Sequence, residues 1–112
     1  MPRKTKRPDI SPRGLQLVAD RFKVLSEPAR LRILMVLEDG EQNVTALVSL
    51  TGLTQANVSK HLALLMTAGM VDRRKEGVSS YYFIADPQIF DLCDLMCHRI
   101  EASLASSAAP LR

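Results

Sequence analysis

VTALVSLTGLTQANVSKHLALL, residues 44–65, holds two helical patterns joined by a tight turn. In the first pattern Val44, Leu47 and Val48 recur at helical spacing, and Gly52 follows where a helix end favours a residue free to take positive φ. Thr51-Gly52-Leu53 makes the turn, and Thr54 then stands as N-cap of a second helix, its hydroxyl placed to accept from a backbone N–H one turn on. Along that second helix Val58, Leu62 and Leu65 form one apolar stripe. Its other face, in the first half, carries Gln55, Asn57, Ser59, Lys60 and His61, side chains able to hydrogen-bond base edges or phosphates. The pattern is that of a helix-turn-helix with the start of its second helix suited to a major groove. A solvated amphipathic helix pair would show the same periodicity, so the flanking elements have to decide between them.

Upstream, Leu15, Val18, Phe22 and Leu25 make the stripe of a first helix that starts near Ser11 or Pro12. Ser26-Glu27-Pro28 reads as the opening of a second helix, with Ser26 as N-cap and an early proline, and Leu31, Ile33, Leu34, Val36 and Leu37 mark it as a central core element. Gly40 closes it, Glu41 and Gln42 supply a short extended connection, and Asn43 caps the helix that follows. Downstream, residues 70–75 alternate as a strand, Gly77 marks a hairpin tip, and Ser79 to Ile84 returns with aromatic and β-branched residues. Arg73, Arg74 and Lys75 climb towards the tip, so the hairpin suits a wing lying along a phosphate backbone. Asp86-Pro87 then starts a long terminal helix whose apolar face is Ile89, Cys93, Met96, Cys97, Ile100 and Leu104. That face and the first helix both need a cover, and a second copy of the chain supplies it most economically as a two-fold dimer.

The expected fold is therefore mainly α with a small β-hairpin: a winged helix-turn-helix of order α-α-α-α-β-β-α, dimerising through its first and last helices. Length supports one domain, since 112 residues enclose only a modest core. The expected divisions are a basic arm over residues 1–14, the winged domain over 15–104 and a loose tail over 105–112, where Ala, Ser and Pro predominate. The chain nets +3, yet Arg3, Lys4, Lys6, Arg7 and Arg13 against Asp9 place more positive charge than that in the arm alone. Such an arm attracts a polyanion without reading its sequence. No apolar run spans a bilayer or follows the charges as in a secretory leader, and two cysteines without one fit a reducing cytoplasm.

The order of these elements and their residues resemble the ArsR/SmtB family of winged helix-turn-helix repressors. The matching text is FKVLSEPARLRIL at 22–34, TGLTQANVSKHL at 51–62, Gly69-Met70-Val71, and the wing from Arg73 to Tyr82. The resemblance implies a cytoplasmic homodimer on a palindromic operator of double-stranded DNA, released by an inducer. Position by position it implies Gln55, Ala56, Ser59 and Lys60 facing bases, with Thr54, Asn57 and His61 close to the backbone. The chemistry is consistent: Gln pairs with adenine, Lys with guanine, and an Ala methyl meets that of thymine.

Sensor positions of the family are mostly empty here. Asn43 and Thr45 stand where it has a thiolate pair. Of its terminal-helix zinc ligands only Asp86 is retained, beside Gln88, Arg99 and Ala102. Met35 and Glu101 replace its persulfide-sensing dithiol. There remain Cys93 and Cys97, four apart on one helix face, a spacing that lets two thiolates hold a thiophilic metal or metalloid; an intersubunit disulfide is the other use open to them. His98, Glu101 or a residue of a second subunit are the candidates for a further ligand. Equally, both thiols can serve as small buried hydrophobes. No other cofactor is expected. A catalytic role is not, because neither His61 nor His98 has a nucleophile or carboxylate in sequence to work with, and the thiols lack the C-x-x-C of redox enzymes. The alternative to a DNA-binding repressor is a winged helix used only for protein interaction, or a regulator without a metal sensor.

Overall fold

The computed structural model describes residues 7–106. Five helices and a hairpin follow in the order α1 Pro12–Leu25, α2 Pro28–Glu38, α3 Val44–Thr51, α4 Gln55–Thr67, β1 Val71–Glu76, β2 Ser79–Ile84 and α5 Pro87–Ser106. This is the expected winged helix-turn-helix. Positions 1–6 of the basic arm and 107–112 of the tail lie outside the described residues; α1 already begins at Pro12, and α5 continues to Ser106.

Local chemistry accounts for most of the boundaries. Ser11 Oγ accepts from Gly14 N at 3.0 Å, Asn43 Oδ1 from Ala46 N at 2.8 Å, Thr54 Oγ1 from Asn57 N at 3.1 Å and Asp86 Oδ1 from Gln88 N at 3.1 Å. Each satisfies an N–H that the first turn of a helix leaves without a partner. The start of α2 departs from expectation. Glu27 is its N-cap and makes no side-chain cap, while the Ser26 hydroxyl turns back to donate to Lys23 O at 2.7 Å. One hydroxyl lies between two helix ends, and here it serves the carbonyls of α1.

Between α3 and α4 the turn is fixed by Gly52 at φ +77° and by Thr51, whose buried hydroxyl donates to Leu47 O at 2.6 Å and accepts from Leu53 N at 3.2 Å. At the far end of α4, Gly69 N bonds Met66 O and Met70 N bonds Leu65 O, both at 3.0 Å, with Gly69 at φ +76°. That is a Schellman closure, and it delivers Met70 to the core beside Leu65.

Ile33, Leu34 and Leu37 of α2, Leu47 of α3, Val58, Leu62 and Leu65 of α4, and Met70, Val71 and Tyr82 of the hairpin make up the core. β1 and β2 pair antiparallel from Val71↔Ile84 to Glu76↔Ser79, leaving a two-residue tip at Gly77-Val78. Gln42 bridges the free edge of β2, with Gln42 N to Tyr82 O at 3.1 Å and Tyr82 N to Gln42 O at 2.8 Å, tying the wing to the α2–α3 connection. By contrast α1 and α5 hold no buried residue. Leu15, Val18 and Phe22 on one, and Leu92, Met96, Ile100 and Leu104 on the other, stay exposed in a single chain. Among the described residues no helix is long and apolar enough to cross a membrane.

Candidate nucleic-acid interface

Val58, Leu62 and Leu65 turn one side of α4 inward, so helical geometry turns Gln55, Ala56, Asn57, Ser59 and Lys60 outward, and all five are exposed, as is the capping Thr54. Thr54 serves only the Asn57 N–H, which leaves the positive end of the helix dipole on the exposed side. The first two turns thus combine hydrogen-bonding side chains with a field that favours phosphate.

His61 does not belong to this surface. It was expected near the DNA backbone but is only 8% exposed. Three residues beyond Val58 and next to Leu62, it lies at the margin of the buried stripe, and its Nδ1 is 3.1 Å from an Arg30 guanidinium nitrogen. Arginine carries donors only, so Nδ1 accepts and the ring proton sits on Nε2. Burial first, then the charges of Arg30 and Lys60, push its pKa below the ordinary histidine value, with Glu27 opposing. At neutral pH it is an uncharged acceptor.

The wing divides into two faces. Val71 points into the core, so by strand alternation Arg73 and Lys75 share its side, and Arg73 borders a shallow depression together with Ser59, Ala63 and Thr67 of α4. Arg74 faces the other way. Its Nε donates to Glu41 at 2.9 Å, its Nη1 to Glu76 at 2.6 Å, and its guanidinium carbon lies 4.9 Å from the centre of the Tyr81 ring. Two carboxylates raise the Arg74 pKa, and the bond from Arg74 lowers that of Glu41. The structure therefore separates a triplet that the sequence grouped: Arg73 borders α4 and Lys75 is exposed on the same strand face, neither in an ion pair among the described residues, whereas Arg74 clamps the wing to the residue before Gln42. On DNA, Arg73→Ala and Lys75→Ala are each expected to flatten the salt dependence of binding by about 0.9 in the log–log slope, one phosphate contact apiece, and Arg74→Ala to leave the slope unchanged. Fluorescence anisotropy titrations over a range of salt read this directly.

The sensor candidates lie elsewhere. Cys93 is half-buried and Cys97 exposed, both unpaired, and they line an apolar cavity of about 260 Å³ with Phe22, Leu25, Ser26, Leu31, Leu92 and Met96. Burial, and then the neighbouring Cys97, push the Cys93 thiol up. His98 is directed to Asp94, at 3.4 Å. Among the described residues no three His, Cys, Asp or Glu gather as metal ligands. Asn43 and Asp86 are both occupied as helix caps.

The family model described as "Bacterial regulatory protein, arsR family" matches residues 27–73, the span from the start of α2 into the wing. The HTH-type transcriptional regulator Rv0081 of Mycobacterium tuberculosis is 41% identical over 78 residues, 69% of this chain and 68% of that protein. Its crystal structure superposes with a TM-score of 0.77 at 35% identity, covering 89% of this chain and all of the other. The biofilm growth-associated repressor of Agrobacterium fabrum is 34% identical over 83% of this chain and 74% of its own length. A solution structure of Mb0332 from Mycobacterium bovis, described as a homodimeric winged helix-turn-helix DNA-binding domain, gives a TM-score of 0.75 at 32% identity, covering 87% of this chain and 90% of that domain.

Proposed function

The chain belongs to the arsR family of bacterial regulatory proteins, DNA-binding transcriptional regulators and not enzymes, and from that premise we propose that it is a repressor that grips a palindromic operator as a homodimer through α1 and α5. The carrying observation is the pairing of one exposed polar surface with one exposed apolar surface on the same small domain: the exposed face of α4, which Arg73 borders beside Ser59, and the stripes of α1 and α5. The homodimeric description of the Mb0332 domain and the repressor named in Agrobacterium fabrum support the assembly and the sign of regulation. In the dimer the half-sites would lie about one helical turn apart.

Binding to DNA from the protein's own promoter, against random DNA, tests the reading. Gln55→Ala or Lys60→Ala is expected to weaken the specific complex by about 1–3 kcal/mol per lost base contact and to spare the non-specific one. Equal losses on both DNAs would show contacts to phosphate alone. A reporter activated by the protein, instead of silenced, would reverse the proposed sign.

Release is assigned to Cys93 and Cys97. Two thiols on an apolar wall suit a thiophilic metal or metalloid, or a thiol-reactive compound; a hard, oxygen-seeking cation finds no ligand set in that cavity. When bound, such a species would cross-link the thiols or enlarge the cavity wall between α1, α2 and α5. The double substitution Cys93→Ser with Cys97→Ser is expected to leave operator binding intact and abolish its loss on addition of arsenite, soft metal ions or thiol reagents. A double variant that still lets go of DNA would refute the assignment.

A further inference from the structure

We propose that Arg30 is a positioning residue that sets the spacing between the two recognition helices of the dimer, by fastening His61 of α4 to the end of α1. The inference rests on the reading of the chain as a dimeric DNA binder. Arg30 stands in the first turn of α2, and its guanidinium bonds in two directions. Nε donates to the Val24 carbonyl at 2.6 Å, one of the acceptors that the last turn of α1 leaves open, and Nη1 meets His61 Nδ1 at 3.1 Å. One planar side chain thereby joins the helix that faces the second subunit to the helix that faces DNA.

His61 is buried at the margin of the Val58, Leu62 and Leu65 stripe that sets the roll of α4, and the residues just before it, Ser59 and Lys60, are exposed on the proposed reading face, so the contact ties the reading half of α4 to the end of α1. At the other end α1 carries no buried residue of its own, so polar ties of this kind contribute to its angle on the domain. In a two-fold dimer a small change of that angle is doubled in the separation of the two α4 helices. Half-site spacing is the quantity it controls.

Because arginine donates only, the contact requires His61 unprotonated. The charged groups around the ring are Arg30 from α2, Lys60 from α4 itself and Glu27 at the α2 cap. Burial first, and then two cations against one carboxylate, resist a further positive charge. Since the folded pKa lies below the ordinary 6.5, the contact is complete at neutral pH and is lost as pH falls through the folded pKa.

The test uses the full chain and synthetic operators built from two copies of the half-site that the wild-type protein selects from random DNA, with centre-to-centre spacing varied one base pair at a time. Wild type is expected to show one sharp optimum at pH 7.5, with off-optimum spacings at least tenfold weaker, and a blunted optimum at an acidic pH where NMR titration of the ring finds His61 protonated. Arg30→Met, similar in length but without donors, should bind all spacings within about threefold, with no change between the two pH values. His61→Asn keeps an acceptor at the Nδ1 position and should retain the sharp optimum at both. An Arg30→Met optimum as sharp as that of wild type overturns the inference, as does an equal loss at every spacing, which marks a merely structural residue. Should Arg30→Met not fold, His61→Asn decides alone, and a blunted optimum in it at pH 7.5 counts against the inference. A wild-type protein indifferent to spacing overturns instead the dimeric reading on which this one stands.

Discussion

Val18→Glu combined with Ile100→Glu is expected to turn the protein into a monomer in sedimentation velocity and to weaken operator binding at least a hundredfold. The two positions are 39% and 41% exposed and lie on the apolar stripes of α1 and α5. Each large apolar side chain removed from water contributes about 1.5–3 kcal/mol, and two stripes contributed twice in a symmetric interface supply many such terms. Placing two carboxylates per subunit into that contact leaves charges without partners, a loss of roughly 3–5 kcal/mol each when buried. Binding to the operator follows because a monomer holds one half-site without the gain of about 10²–10⁴ that linkage of two sites provides. Folding should survive, since neither Val18 nor Ile100 belongs to the core or packs against it, and an unchanged far-UV circular dichroism spectrum checks it. Leu50→Glu, on the exposed side of α3 at 57%, serves as the control that should remain dimeric. Dimers that persist in the double variant would mean that α1 and α5 are not the contact.

The second large effect is on stability, and two consecutive leucines of α4 divide it. Leu65 is fully buried and closes the Schellman turn through its carbonyl, whereas Leu64 is 40% exposed. Leu65→Ala should cost about 2–5 kcal/mol, because the cavity sits where α4 and Met70 meet and the turn holds the backbone from collapsing into it. For a domain of this size that is a drop in Tm of roughly 10–25 °C, measured at fixed protein concentration. Leu64→Ala should remain within about 0.5 kcal/mol of wild type. Equal effects at the two positions would contradict the orientation assigned to α4, and with it the outward placement of Gln55, Ala56, Asn57, Ser59 and Lys60.

Elements whose causes lie within a few residues were legible in the sequence. Ser11, Asn43, Thr54 and Asp86 cap helices through bonds that reach two or three residues along the chain, so residue type and spacing suffice. The stripes of the helices and the two-residue wing tip follow from periodicity in the same way. Long-range polar partners were not legible. His61 reads as one more polar residue at the start of a recognition helix until Arg30, 31 positions earlier in the chain, is folded against it. Arg74 reads as a third wing cation until Glu41, 33 positions earlier, occupies it. Ser26 shows a subtler limit, where adjacent helix ends compete for one hydroxyl and only the folded geometry shows which receives it.

The bridge between Gln42 and Tyr82 also bears on how the molecule behaves in a crowded solution. An isolated hairpin offers two raw edges, each a template for strands from other copies and so a seed for aggregation. Gln42 occupies the edge of β2 with both backbone bonds, while the edge of β1 is guarded by Asp72, Arg73, Arg74, Lys75 and Glu76 in unbroken succession. A hairpin that projects from the domain is thus kept closed to its own kind.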